Sequence, residues 1–317
     1  MNVTKRTIGN SNLKTAPLAF GGNVFGWTVN EKMAFDLLDG FVENGFNLID
    51  TADIYSVWVP GHQGGESETI IGKWLKKSGK RDKVLIATKV GMKMSEEKKG
   101  LSKSYIFQAI EDSLKRLQTD HIDIYQSHED DSTTPLEETL EAYTELYQQG
   151  KIKIIGASNY SAERLSQALE VSKKNNFISY QCLQPLYNLY DRSDYEAQLE
   201  SVCTKFNLGV LTYFSLASGF LTGKYQSEQD LLNSSRKEIV EKYMNESGFK
   251  IINALKQVAK ELNTTPGNVA IAWLMAHPSV TAPIVSATNL DQLKNLIDAA
   301  QLKLHANHIQ LLNAASA

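Results

Sequence analysis

The chain has 317 residues, 42% hydrophobic and 22% charged, with a formal net charge of −3. A near-neutral balance with dispersed Lys and Arg argues against nucleic acid or a membrane surface as partner. Two cysteines, Cys182 and Cys203, are too few for a disulfide framework and have no metal-ligand spacing, so no metal site is expected. No apolar run approaches the ~20 residues needed to span a bilayer, and no charged-then-apolar leader precedes Val3; a cytoplasmic protein is expected.

Thr4 to Ile8 and Leu13 to Thr15 flank the turn-rich Gly9-Asn10-Ser11-Asn12, which predicts a small hairpin ahead of the main fold. Pro17 to Phe20 then reads as a first strand ending in Gly21-Gly22, where backbone passes close to something. Glu31 to Asn44 has helical periodicity and stops at Gly45. Phe46 to Asp50 is a short apolar strand ending in a carboxylate, with Tyr55 five residues on and a long loop, Ser56 to Gly65, behind it. The alternation then runs unbroken. Helix Glu66–Lys77 precedes strand Val84–Thr88, helix Lys103–Leu117 (capped by Ser102) and strand Ile122–Ser127. Helix Leu136–Gln149, with Pro135 at its first turn, leads to strand Ile152–Ala157 and helix Ala162–Lys174, capped by Ser161. Strand Ser179–Cys182 carries Gln181; helix Asp194–Phe206 and strand Val210–Phe214 follow. Ser215 to Gly248 is irregular, holding Gly219 and Gly223-Lys224. Helices Phe249–Leu262 and Gly267–Ala276, strand Ala282–Ser286, helix Leu290–Ala299 and an amphipathic segment His305–Leu312 complete the chain.

Eight strands, each followed by a helix, imply parallel pairing with right-handed crossovers. At this length the expected fold is α/β, a closed (β/α)8 TIM barrel with an N-terminal β-hairpin and an additional C-terminal helix, in one domain spanning 1–317. No Gly-x-Gly-x-x-Gly follows any strand, so the usual dinucleotide fold has no support. In such a barrel chemistry sits at the C-terminal strand ends. Asp50, Lys89 and His128 fall there, 39 positions apart in each step. A lone charge at a strand end is ordinarily solvated; three at equal spacing converge on one rim.

Tyr55 is the natural proton donor of that rim, but its ordinary pKa of ~10 makes it a weak acid near neutrality. A cation ~4 Å away at an effective dielectric of ~20 is worth about 4 kcal/mol, or roughly three pKa units, so Lys89 is expected to pull the phenol down. Asp50 would keep that lysine charged, and His128 would orient a carbonyl oxygen or relay a proton. There is no nucleophile–base pair and no carboxylate–histidine cluster, which speaks against acyl transfer and against metal chemistry.

The run Gly45 to Tyr55 resembles the signature of the aldo-keto reductases, of the bacterial NADP-dependent type. The resemblance continues in Thr88-Lys89-Val90-Gly91, Asp123 to His128, Ile155 to Tyr160, Gln184-Pro185-Leu186-Tyr187-Asn188-Leu189 and Gly219 to Lys224, in order over nearly the whole chain. It implies an oxidoreductase that reduces an aldehyde or ketone to an alcohol with NADPH, NADH remaining open. The tetrad would be Asp50, Tyr55, Lys89 and His128. Ser158, Asn159 and Gln181 would hold the carboxamide and Tyr213 would stack on the nicotinamide. Phe214, Ser215, Leu216 and Gly219 would line the pyrophosphate path with Lys224. Gly22 and Asn23 would touch the cofactor's other edge, Ser286, Thr288, Gln292 and Asn295 would meet its adenosine end, and Trp27 and Trp58 would line the substrate mouth. One departure stands out: from Ser286 to Asp291 there is no cation for a 2′-phosphate, Lys294 being the nearest. Similar barrels also serve as β subunits of potassium channels. The lack of an extended segment before Val3 favours a stand-alone enzyme acting on a small-molecule carbonyl. Substrate identity and oligomeric state have no readable code in the loops.

Overall fold

The computed structural model describes residues 3–317 except 233 and 235. Two short antiparallel strands, β1 (Arg6–Thr7) and β2 (Lys14–Thr15), form the expected hairpin. Eight parallel strands follow: β3 (Ala19–Gly21), β4 (Leu48–Asp50), β5 (Leu85–Val90), β6 (Ile122–Ser127), β7 (Ile152–Ser158), β8 (Tyr180–Gln184), β9 (Gly209–Thr212) and β10 (Val280–Val285). Each pairs with the next, and β10 pairs with β3, so the sheet closes into a barrel ringed by helices. This is the expected (β/α)8 TIM barrel, with the additional C-terminal helix at Ala306–Ala315. No helix among the described residues is long and apolar enough to cross a membrane.

Alternation along the strands separates two layers. Ala19, Leu48, Ala87, Ile124, Ile154, Cys182, Leu211 and Ala282 fill the barrel, with Ile8 of the hairpin packed among them. The hairpin therefore plugs the end where the strands begin. Arg6 ties it there, donating to the carbonyls of Met275, Val280 and Thr281. The outward-facing residues pack against the helices, which start where local chemistry dictates. Asn30, Ser102, Ser161, Asn245, Thr265 and Asn289 each accept a hydrogen bond from the backbone amide three residues on. Pro135 is the residue just outside its helix, Leu136–Gln148, rather than inside the first turn.

Three departures from the sequence expectation have physical causes. The helix expected at Asp194–Phe206 opens with a π turn, Tyr195–Leu199, before the α-helix Glu200–Phe206. Its wider turn accompanies Tyr195 packing with a tilted ring against Tyr187 (4.7 Å) while Glu196 accepts from the Tyr187 hydroxyl (2.6 Å). Strand β9 ends at Thr212, because Phe214 turns to a φ of +50°. The segment 215–248 holds three short helical pieces (Ala217–Thr222, Glu228–Leu231 and Lys237–Glu241), and Asn245 starts the next helix at Glu246, three residues early.

Candidate active site

Asp50 ends β4 and Lys89 lies on β5; both point into the barrel near its C-terminal rim and are buried. The backbone beyond β4 stays tied to β5, Thr51 N–H donating to Ala87 O and Asp53 N–H to Lys89 O. A turn closed by Tyr55 N–H on Ala52 O then folds the tyrosine back over the lysine. All three ammonium protons of Lys89 are committed, to Asp50 Oδ2 (2.7 Å), Thr51 O (2.8 Å) and Tyr55 Oη (2.9 Å). Burial disfavours the lysine's charge, but Asp50 and the phenol outweigh it and hold the Lys89 pKa above its usual value. The phenol corrects an expectation. Burial pushes Tyr55 up, Lys89 pulls it down and Asp50 pushes it up again, with a net rise. The phenol is thus kept protonated, not made strongly acidic.

His128 follows β6, its N–H donating to Val90 O (2.8 Å), with its ring 6.0 Å from that of Tyr55. Burial first, then the charge of Lys89, lowers its pKa well below the usual value, so the imidazole is neutral; its buried Nδ1 has no hydrogen-bonding partner among the described residues. Beside it, Asn159 takes a left-handed φ of +54°, donates to His128 O (2.9 Å) and accepts from the Tyr213 hydroxyl (2.8 Å). The Ser158 hydroxyl donates to Gln184 O (2.9 Å).

Gln181 is not part of this cluster. The β7–β8 register advances from Ile155↔Tyr180 to Gly156↔Cys182, so Gln181 is the extra residue of a bulge. Its side chain accepts from Asn10 N–H of the hairpin and donates to Ser179 O, at the far end of the barrel. The amide at the rim is Gln184, three residues on, donating to Asp50 Oδ1 (2.9 Å). Gln126 on β6 donates to the same oxygen (3.3 Å). The sequence reading missed both. The available signal was an amide two residues before His128 and another at the true end of β8.

An acid–lysine–tyrosine chain with a neutral histidine lies at the mouth of a parallel barrel, an arrangement chemically able to give a proton to an oxygen. Residues 17–317 match the Aldo/keto reductase family. The chain is also 35% identical over 314 residues to "Uncharacterized oxidoreductase YrpG" of Bacillus subtilis (strain 168), covering 96% of this chain and 94% of that protein. The chain belongs to the aldo/keto reductase family. It is accordingly an oxidoreductase, of a family that reduces carbonyls with nicotinamide cofactors.

In this aldo/keto reductase the other expected residues lie in the segments that follow the C-terminal ends of β3, β4, β9 and β10. Ser286 Oγ lies 2.7 Å from both Gly21 O and Asn23 Oδ1, joining β10 to the segment after β3. A Cβ on Gly22 would come within 2.9 Å of Ser67 Oγ and 3.2 Å of Asp50 O, so the close approach there is to the protein itself. Beyond β9, Ser215 donates to Ile284 O, Phe214, Ala217 and Ser218 have positive φ, and Leu216 and Gly219 close a tight turn. Lys224 lies against Gly219, its amine 4.8 Å from the Tyr225 ring. Thr288 donates twice to Gln292 Oε1, and Asn295 and Lys294 are exposed on the helix behind. Trp27 and Trp58 meet edge to face (5.8 Å), with Trp58 6.0 Å from Tyr55. Arg236, which the sequence reading passed over, lies over Trp27 (5.6 Å) with no carboxylate partner among the described residues. A nicotinamide suits this donor set. Gln184 Oε1 accepts nothing from the described residues, which leaves it for an N–H of a carboxamide.

Proposed function

We propose that the protein reduces an aldehyde or ketone to the alcohol, using NADPH with NADH also accepted, and that Tyr55 donates the proton. The observation that carries this reading is the Lys89 ammonium, spent on Asp50, Thr51 O and the Tyr55 hydroxyl. When bound, the reduced nicotinamide supplies a hydride to the carbonyl carbon. Tyr55 holds its proton at rest, because burial favours the neutral phenol. As charge develops on the carbonyl oxygen the phenol donates, and the phenolate left behind is stabilised by Lys89 at 2.9 Å. Asp50 keeps Lys89 charged and fixed. Neutral His128 orients the oxygen by hydrogen bonding. Ser158, Asn159 and Gln184 hold the carboxamide, Tyr213 backs the ring, and Trp27 with Trp58 walls the substrate from water. The substrate is a small molecule met in the cytoplasm.

The test is turnover of a panel of aldehydes and ketones with NADPH and NADH, repeated with Tyr55→Phe. The variant is expected to lose roughly 10²–10⁴-fold in reduction while binding cofactor normally, since the phenol acts on the transition state. Retention of more than about a tenth of wild-type turnover, with chemistry rate-limiting, would reject Tyr55 as the acid. Cofactor binding without turnover of any carbonyl would reject the enzymatic reading.

A further inference from the structure

We propose that Gln126 is a positioning residue that couples the carboxamide-binding amide of Gln184 to the Asp50–Lys89–Tyr55 proton donor; this rests on the reading of the site just given. Gln126 is fully buried on β6, facing into the barrel beside Lys89, with which it is in register. Space is made for it. Gly156 stands opposite on β7, and a Cβ there would come within 2.6 Å of Cys182 Sγ and 3.0 Å of Gln126 Cγ. A buried amide is costly unless its hydrogen bonds are made, and an apolar residue of the same shape would fill the barrel without that cost.

The bonds of Gln126 have one consistent direction. Asp50 is ion-paired to Lys89 through Oδ2, so its Oδ1 can only accept. Both amides must therefore turn Nε2 toward it: Gln184 at 2.9 Å and Gln126 at 3.3 Å. That orientation leaves Gln126 Oε1 to accept the second N–H of Gln184, at 3.2 Å. With both protons spent, Gln184 can offer a ligand only its Oε1, an acceptor. An acceptor suits the NH₂ of a carboxamide and not its carbonyl. Without Gln126 the Gln184 amide keeps one anchor and can turn about its terminal torsion, which is broad and roughly two-fold.

Equilibrium binding separates this from simple barrel filling. Fluorescence titration compares NADP⁺ with its 3-acetylpyridine analogue, in which a methyl replaces the amide NH₂ and the carbonyl stays. Wild type is expected to favour the carboxamide by about three- to tenfold, the range of one neutral hydrogen bond. Gln126→Met is expected to reduce that ratio below about twofold, with affinity for 2′-phospho-ADP-ribose unchanged as a check of folding. Gln126→Glu, buried against the Asp50 carboxylate, holds a proton that it gives to Asp50 Oδ1, and its other oxygen still accepts from Gln184, so the ratio is kept. A wild-type ratio in Gln126→Met, or a ratio lost in Gln126→Glu, overturns the proposal; Gln126→Leu takes the place of the Met variant if that fails to fold. A wild type blind to the NH₂ overturns the Gln184 assignment and the proposal with it, whereas discrimination that survives Gln126→Met leaves the site reading intact.

Discussion

Thr88 and Lys89 are neighbours on β5 that face opposite ways, and each belongs to a buried charged cluster. Inside the barrel Lys89 pairs with Asp50 at 2.7 Å; outside it, Arg116 pairs with Glu68 at 2.6 Å while Thr88 donates to the other Glu68 oxygen at 2.6 Å. By distance and burial of the acid the two pairs are alike. They differ in where the bonds lead. The outer cluster ends on protein, clamping the helix Glu66–Ser78 to the helix Lys103–Leu117. The inner one ends on Tyr55, whose hydroxyl stands at the rim. Burial of charge does not distinguish a site from a clamp; a bond chain that leads to a group facing the mouth does.

The largest effects separate the two clusters by activity. Lys89→Met is expected to reduce carbonyl reduction by roughly a hundredfold or more, and Asp50→Asn by less, because Asp50 acts through the lysine. Lys89 is the group pulling the phenol down, so its loss should move the alkaline limb of the pH–rate profile higher. An unmoved limb in an active Lys89 variant would refute the electrostatic account. Arg116→Met should act on stability instead. It leaves a fully buried Glu68 without its cation, and the expected loss is about 3–5 kcal/mol in denaturant unfolding, with cofactor affinity nearly unchanged. Loss of activity without loss of stability would show that the outer cluster is no clamp.

Asp53 sharpens the contrast. It sits 1% exposed beside the outer cluster, and neither oxygen meets hydrogen-bond geometry. Burial and then the charge of Glu68 raise its pKa to about 8, against the opposing pull of Arg116 and the Ile54 amide. The folded state therefore holds a proton that the unfolded chain releases above its ordinary value of 3.8. Stability from this group is fully present below that value and is lost as pH rises through about 8. Asp53→Asn removes the dependence. Between pH 5 and 7 the variant should gain roughly 2–3 kcal/mol on the wild type, at about 1.4 kcal/mol per unit. Parallel stability curves would mean that Asp53 is ionised in the fold.

Much of this arrangement was legible because it is local. Helix Lys103–Leu117, strand Ile122–Ser127 and helix Leu290–Ala299 fall at their expected residues, since caps and periodicity are properties of adjacent side chains. The meeting of Asp50 and Lys89 followed from equal spacing on consecutive parallel strands, and that of Tyr55 with them from its place five residues beyond Asp50. Gln181 misled because a bulge changes which residue faces inward, and the bulge depends on the pairing with β7. The π turn at Tyr195 depends on Tyr187, and the direction of the Tyr55 shift depends on burial. Neither is written in a window of sequence.

The smallest effect concerns the far end of the mouth, where the sequence offers neither a pair nor a clamp. Between Ser286 and Asp291 no Lys or Arg stands, and Thr288 N–H and its hydroxyl both donate to Gln292 Oε1. Asn289 in turn accepts from Gln292 N–H, so the start of that helix is occupied by its own side chains. A 2′-phosphate there lacks the bidentate cation that ordinarily secures it. A charge-assisted hydrogen bond is worth ~1.5–3 kcal/mol, so its absence should cost about ten- to a hundredfold in discrimination. A weak NADPH preference is expected, and Thr288→Arg should raise NADPH affinity while leaving NADH nearly unaffected. Titration of the wild type with both cofactors decides it. A wild-type preference above about a thousandfold would require a cation from elsewhere to reach the phosphate. Lys224 beside Gly219, Lys294 on the exposed helix and Arg236 over Trp27 are the three to replace, each by Met. The one whose loss brings the preference down would then be the true phosphate partner, and the bare stretch after β10 would carry no specificity.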